Sequence, residues 1–172
     1  MKKTRLGWLL AALSGLMLTT AAVLTPGTSH TQAQSPLVIG GRAANFGVQA
    51  LTGGFMPDPA QYQVVSGGSL HGSVASSSCR GYVTGQPDLI LHYNNAASFV
   101  RFFVRGQGDT TLIINDAAGR WHCDDDSGGS LNPMVDINNP PSGQYDIWIG
   151  SYQAGTNVRG TLGVTELRNI RP

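Results

Sequence analysis

The sequence predicts an all-β protein, a single antiparallel β-sandwich preceded by an extended arm. Three observations point there. Glycine is abundant, at 23 of 172 residues. No long stretch carries the apolar periodicity of a helix. From Tyr82 onward, seven or eight short apolar or alternating runs, separated by turn clusters, fill roughly 100 residues, the pattern of a sandwich.

Taken in order, the chain opens with Lys2, Lys3 and Arg5 ahead of an apolar run from Leu6 to about Leu24, followed by Pro26 and Gly27 in a polar, small-residue stretch. This is the layout of a secretory signal peptide over residues 1–33. Thr31-Gln32-Ala33 offers the cleavage site; a cut after Ala22 and a retained anchor are the alternatives. With the segment removed, no membrane span remains, and the chain is expected to be secreted or periplasmic. Residues 34–68, with weak apolar signals only at Val38-Ile39 and Val64-Val65, read as an extended arm or linker. The sandwich domain is expected over 69–172.

Within it, Tyr82 to Thr84 and Asp88 to Tyr93 read as strands. Ala97 to Arg105 alternates Phe99, Arg101 and Phe103 against Val100, Phe102 and Val104, giving one apolar face and one face with arginines. Gly106 to Asp109 is a turn. Thr110 to Asn115 is β-branched and apolar, and Asp116 to Gly119 turns it back into Arg120 to Cys123 as a hairpin. An acidic loop follows, then Met134 to Ile137, the turn Asn138 to Gly143, the alternating run Gln144 to Tyr152, and a last strand from Gly160 to Leu167.

Without residues 1–33 the chain of 172 keeps 139 residues, enough for one domain with a modest core. Of eleven Lys and Arg, eight remain, all arginine, against ten acids, a net charge of −2. There is no basic field for nucleic acid. Cys79 and Cys123, in an exported chain, most simply form one disulfide, the alternative being two buried thiols. Closing that span would contribute about 4 kcal/mol by loop entropy.

Two chemistries compete in the acidic loop. Asp126-Ser127-Gly128-Gly129 resembles the nucleophile segment of trypsin-like serine proteases, and Val38-Ile39-Gly40-Gly41 is similar to their mature start. A serine nucleophile needs a base, an orienting group and oxyanion donors. His122 lies five residues from Ser127, and Asp125 stands where that family has glycine, so the tetrapeptide reads as a turn and the chain as a non-enzyme. His71, His92 and His122 have no spacing that suggests zinc.

The second chemistry is that of a hard cation. Asp109, Asp116, Asp124, Asp125 and Asp126 fall within eighteen residues. Calcium takes six to eight oxygens from carboxylates, carbonyls and water. Consecutive aspartates on an irregular loop can aim two carboxylates at one point, and Asp109, Asp116, Asn132 or Asp136 could add oxygens from neighbouring turns. The alternative is a solvated acidic turn with one aspartate paired to Arg120 or Arg105.

The ordered series Asp109-Thr110-Thr111-Leu112, Asp116-Ala117-Ala118-Gly119, Asp124 to Gly129, Asn132-Pro133, Pro141 to Tyr145 and Ile149 to Tyr152 resembles the bacterial pre-peptidase C-terminal domain family, with weaker similarity from about Gly81 to Leu167. The resemblance implies a jelly-roll β-sandwich of the kind appended to secreted proteases; related collagen-binding domains bind calcium. The chain departs from the family in carrying no catalytic domain and in its Cys79 and Cys123. The expectation is therefore a free-standing, non-catalytic extracellular module that binds a polymer, a partner protein or its own copies. The alternatives are a relative or accessory domain of a secreted serine peptidase, and a structural subunit that assembles by lending its N-terminal arm to a neighbouring copy. Trp148 and Tyr152, with Trp121 and Tyr93 as further candidates, would supply flat contact area. Trp148, out of phase with Ile147 and Ile149, is expected to be exposed.

Overall fold

A computed structural model describes residues 36–172; the expected signal segment lies outside the described residues. Among these, eleven strands occur in chain order: β1 (Val48–Thr52), β2 (Ala60–Val65), β3 (Leu70–His71), β4 (Tyr82–Val83), β5 (Leu89–Asn94), β6 (Phe99–Gly106), β7 (Thr110–Asn115), β8 (Trp121–Asp124), β9 (Met134–Asn138), β10 (Gly143–Ser151) and β11 (Arg159–Thr165). One short 3-10 turn spans Gly72–Val74. None of the described residues forms a helix long and apolar enough to cross a membrane.

The strands form two sheets, as the alternation of apolar residues demands. In the first, β10 is central: β7 runs along one edge and leads to β8, while the other edge holds β5 and, beyond it, β4 with β3. β1 closes this sheet by pairing with β5 in parallel, Val48 opposite Ile90; every other pairing is antiparallel. The second sheet runs β2, β11, β6, β9. Between the sheets lies the main core. Leu89, Leu91, Tyr93, Leu112, Ile114, Tyr145, Ile147 and Ile149 come from one side, and Val64, Val100, Phe102, Val104, Val135, Ile137, Leu162 and Val164 from the other. Each set is the even or odd half of its strand, so the period-2 reading of β6 and β10 holds, while β5 and β7, read as apolar runs, are buried on both faces.

Residues 34–68, expected as an arm, are corrected by these pairings: β1 joins the first sheet and β2 the second, where Ala60 to Val65 pairs with Val164 to Arg159. Both are edge strands with one bonded neighbour, which is why they read weakly. Residues 36–68 therefore contribute a strand to each layer of the sandwich.

Trp148 is the second correction. It is fully buried, in a smaller cluster on the far face of the first sheet with Leu37, Cys79, Val83 and Ile113. Its phase is as read, opposite to Ile147 and Ile149, but that face is covered. The segment around Leu37 and the chain from Leu70 to Cys79 lie over it, and Trp121 packs at 5.7 Å between ring centroids. Cys79 and Cys123 form the expected disulfide, with their Cα atoms 5.2 Å apart, and pin the 72–80 loop onto β8.

Part of the outer face of the second sheet, over β6, is covered by the segment 168–171. Arg101, 5% exposed, forms a two-pronged pair with Asp136 and donates to the carbonyls of Arg168 and Ile170. The Arg168 guanidinium stacks 3.9 Å from the Phe99 ring centroid. The arginines of β6 thus hold residues 168–171 against the sheet.

Candidate functional site

The acidic loop leaves β8 at Asp124 and returns to β9 at Met134. Asp124 shapes it. One of its carboxylate oxygens accepts from the backbone N–H groups of Ser127 and Met134, at 2.9 and 2.8 Å, and the other accepts from the Ser127 hydroxyl at 2.6 Å. Asn132 ties the loop to β6 by accepting from the Gly106 N–H at 2.8 Å. Gly129 has φ of 87°, a conformation that glycine adopts without a Cβ clash. A Cβ at Gly128 would stand 2.6 Å from the Asn132 carbonyl oxygen, so this position needs its backbone bare.

This scaffold turns Asp125 and Asp126 toward Asp109, which sits immediately before β7. One oxygen from each of the three carboxylates lies within 4.8 Å of the others. One Asp109 oxygen and one Asp125 oxygen are cut off from solvent with no hydrogen-bond partner among the described residues. Burial, followed by the charge of Asp126, pushes the Asp109 carboxyl above its ordinary range. Burial likewise raises Asp125, reinforced by Asp126, Asp109 and Asp124 and opposed by Arg80. Carboxylates gathered without donors repel one another, and a cation at their centre relieves both the repulsion and the lost hydration.

Of the seven expected metal-ligating residues, the structure brings together Asp109, Asp125 and Asp126. Asp124 and Asn132 are neighbours whose oxygens are used in holding the loop. Asp116 and Asp136 lie elsewhere and are corrected. Asp116 is at the far end of β7, 2% exposed, closed inside its own hairpin. It accepts from the backbone of Ala118 and Arg120, from the Arg120 side chain at 2.8 Å, and pairs with His122 at 2.9 Å. Burial alone would raise its carboxyl; the bonds from His122, Arg120 and Ala118 hold it below the usual carboxylate range. Asp136 is the partner of Arg101.

The protease-like tetrapeptide is a turn in the first half of this loop. The Ser127 hydroxyl donates a hydrogen bond to Asp124, His122 faces Asp116, and His71 bonds Ser73 in the 3-10 turn. Among the expected contact aromatics, Tyr152 is 46% exposed, whereas Tyr93 and Trp148 are core.

Sequence reasoning passed over three buried polar groups: Asp88, immediately before β5, and Asn115 and Asp146 on β7 and β10. Asp88 is 1% exposed and accepts from the Asn45 amide and the Ile149 N–H. Asp146 is 2% exposed and lies cross-strand from Asn115, itself 6% exposed. The available signal was a lone aspartate beside or within an apolar run, at Asp88 before Leu89 and at Asp146 between Tyr145 and Ile147. Neither models of known protein families nor the curated proteins give a match to this chain.

Proposed function

We propose that the chain is an exported, non-catalytic binding module for an extracellular polymer or partner protein, with calcium ordering the loop between Cys123 and Asn132. The observation that carries this reading is the convergence of Asp109, Asp125 and Asp126 with two buried oxygens that have no partner among the described residues. The fit to calcium is chemical: three anionic oxygens, and loop carbonyls and water to complete the shell. Bound there, the ion would supply charge and loop order and no reaction. The disulfide supports an oxidising compartment, as does the signal-like leader. The sequence resemblance to pre-peptidase C-terminal domains agrees with a sandwich of this kind. Self-assembly by arm exchange would require β1 and β2 to leave their own sheets.

The test is thermal unfolding of the purified chain in calcium and in chelator. Saturating a single site at about 100 times its dissociation constant stabilises the fold by about 2.7 kcal/mol. The expected result is a midpoint several degrees higher in calcium, saturating with concentration. An unchanged midpoint through millimolar calcium would contradict the reading.

A further inference from the structure

At the end of β7 remote from the aspartate cluster, on the outer face of the first sheet, Ile39, Gly40, Asn115, Asp116, Gln144 and Asp146 line a recess of about 240 Å³. Its floor is built by register. Asn115 and Asp146 are directly opposed across β7 and β10, and both point away from the core because Ile114, Tyr145 and Ile147 point into it. Its wall is the strap at Gly40, whose N–H donates to Asp146 at 2.7 Å. Gln144 donates to the other Asp146 oxygen at 2.8 Å and to the Gly41 carbonyl.

Two groups in this recess are incompletely answered. Asp146 has two neutral donors, but among the described residues no arginine, lysine or histidine lies within ion-pair distance of it. Asn115, more than nine-tenths buried, makes no side-chain hydrogen bond among the described residues. Asp116 also borders the space, but Arg120 and His122 answer its charge. A buried carboxylate without a cation is costly to keep, and the Asn115 amide, which lines the recess and bonds no other described residue, is open to a ligand.

We propose that this recess binds a primary ammonium group, presented as a lysine side chain of a partner protein. An ammonium carries three donors and no acceptor, matching the Asp146 carboxylate together with the Asn115 carbonyl oxygen. An anion is repelled by the two carboxylates. A neutral polyol answers the amide and leaves the charge. A guanidinium is best matched by a carboxylate with both oxygens free for its fork, whereas each Asp146 oxygen already accepts one bond; a compact point charge suits the site better. On the strap, Val38 and Ile39 are 42% and 46% exposed and offer apolar contact to the methylene stem of a lysine, which an amino sugar lacks. This assignment rests on the reading of the chain as a binding module and not on calcium.

The experiment is an NMR titration of the isotope-labelled chain with Nα-acetyl-lysine methylamide. The matching probe with a terminal hydroxyl in place of the amine, and a glucosamine dimer, are titrated in parallel, each in calcium and in chelator. The expected result is saturable shifts at the Gly40, Asn115 and Asp146 amides with the lysine probe, roughly tenfold weaker affinity for the hydroxyl probe, and the same response in chelator. Asp146→Asn, which removes the charge and keeps one of the two acceptors that hold Gly40 and Gln144, should weaken lysine binding at least to a similar degree; the probe comparison on the native chain needs no variant. No saturable shift at these amides, equal affinity for the charged and uncharged probes, or tighter binding of the glucosamine dimer would each overturn the proposal. A null calcium effect on unfolding would leave this result standing, and the reverse also holds.

Discussion

Trp148 and Asp88 show how one side chain's role follows from what covers its strand. Trp148 fills the outer cluster of the first sheet at zero exposure, yet its indole N–H has no hydrogen-bond partner among the described residues. Its two properties separate experimentally. Trp148→Ala should destabilise the fold by about 3–5 kcal/mol through the lost burial and the cavity. Trp148→Phe should cost less, since it removes the unanswered donor along with part of the ring; denaturant unfolding of both variants checks the order. Asp88 offers a pH prediction. Burial is the main cause that pushes its carboxyl to about 6, against the lowering bonds from Asn45 and Ile149. The folded state then holds the proton more tightly than the unfolded chain, whose aspartates titrate at about 4. Its contribution to stability is therefore greatest below that range, declines as pH rises from about 4 to about 6, and is constant above. Asp88→Asn should flatten the unfolding midpoint across that window. An unaltered pH profile would place the coupling elsewhere.

Among the elements, visibility in the sequence tracked the number of covered faces. β5, β6, β7, β10 and β11 each place every second residue in the core between the sheets; alternation marks β6 and β10 in the sequence, and a continuous apolar run marks β5 and β7, whose second face is also covered. β1 pairs only with β5 and alternates between exposed and half-buried residues, so Val48 to Thr52 carries no strong signal. β2 hides its register behind Gln61 and Gln63, and β3 is two residues long. These weak strands are still structural. A chain beginning at Ser69 would strip β1 from β5 and β2 from β11 and uncover Val64's side of the core. It should fail to give a cooperative unfolding transition by circular dichroism, whereas a dispensable arm would leave the transition intact. The disulfide is the other element-level device. It joins residues 44 apart in sequence, and the Cys79→Ser, Cys123→Ser double variant should lose about 4 kcal/mol by loop entropy. Denaturant unfolding of that variant measures the loss.

Over the whole molecule, charge is sorted by the sandwich rather than by sequence proximity. Five aspartates crowd into eighteen residues, but β7 holds Asp109 and Asp116 at opposite ends of six extended residues, about 20 Å apart. They cannot share an ion. Asp116 is therefore spent inside its hairpin, while the loop after β8 folds back to bring Asp125 and Asp126 to Asp109. Crowding of acids was legible in the sequence; which of them converge was not, because convergence depends on a strand length and on a loop fixed by Asp124 and Asn132. The raised carboxyls of Asp109 and Asp125 add a condition: acidification protonates them and should weaken calcium binding. The most direct measurement is calorimetric titration of calcium into the chelator-treated chain and into its Asp125→Asn, Asp126→Asn variant at neutral pH. One saturable site in the native chain, lost in the variant while its fold persists by circular dichroism, is the expected result. No binding to the native chain, or equal binding to both, would contradict a calcium-ordered loop.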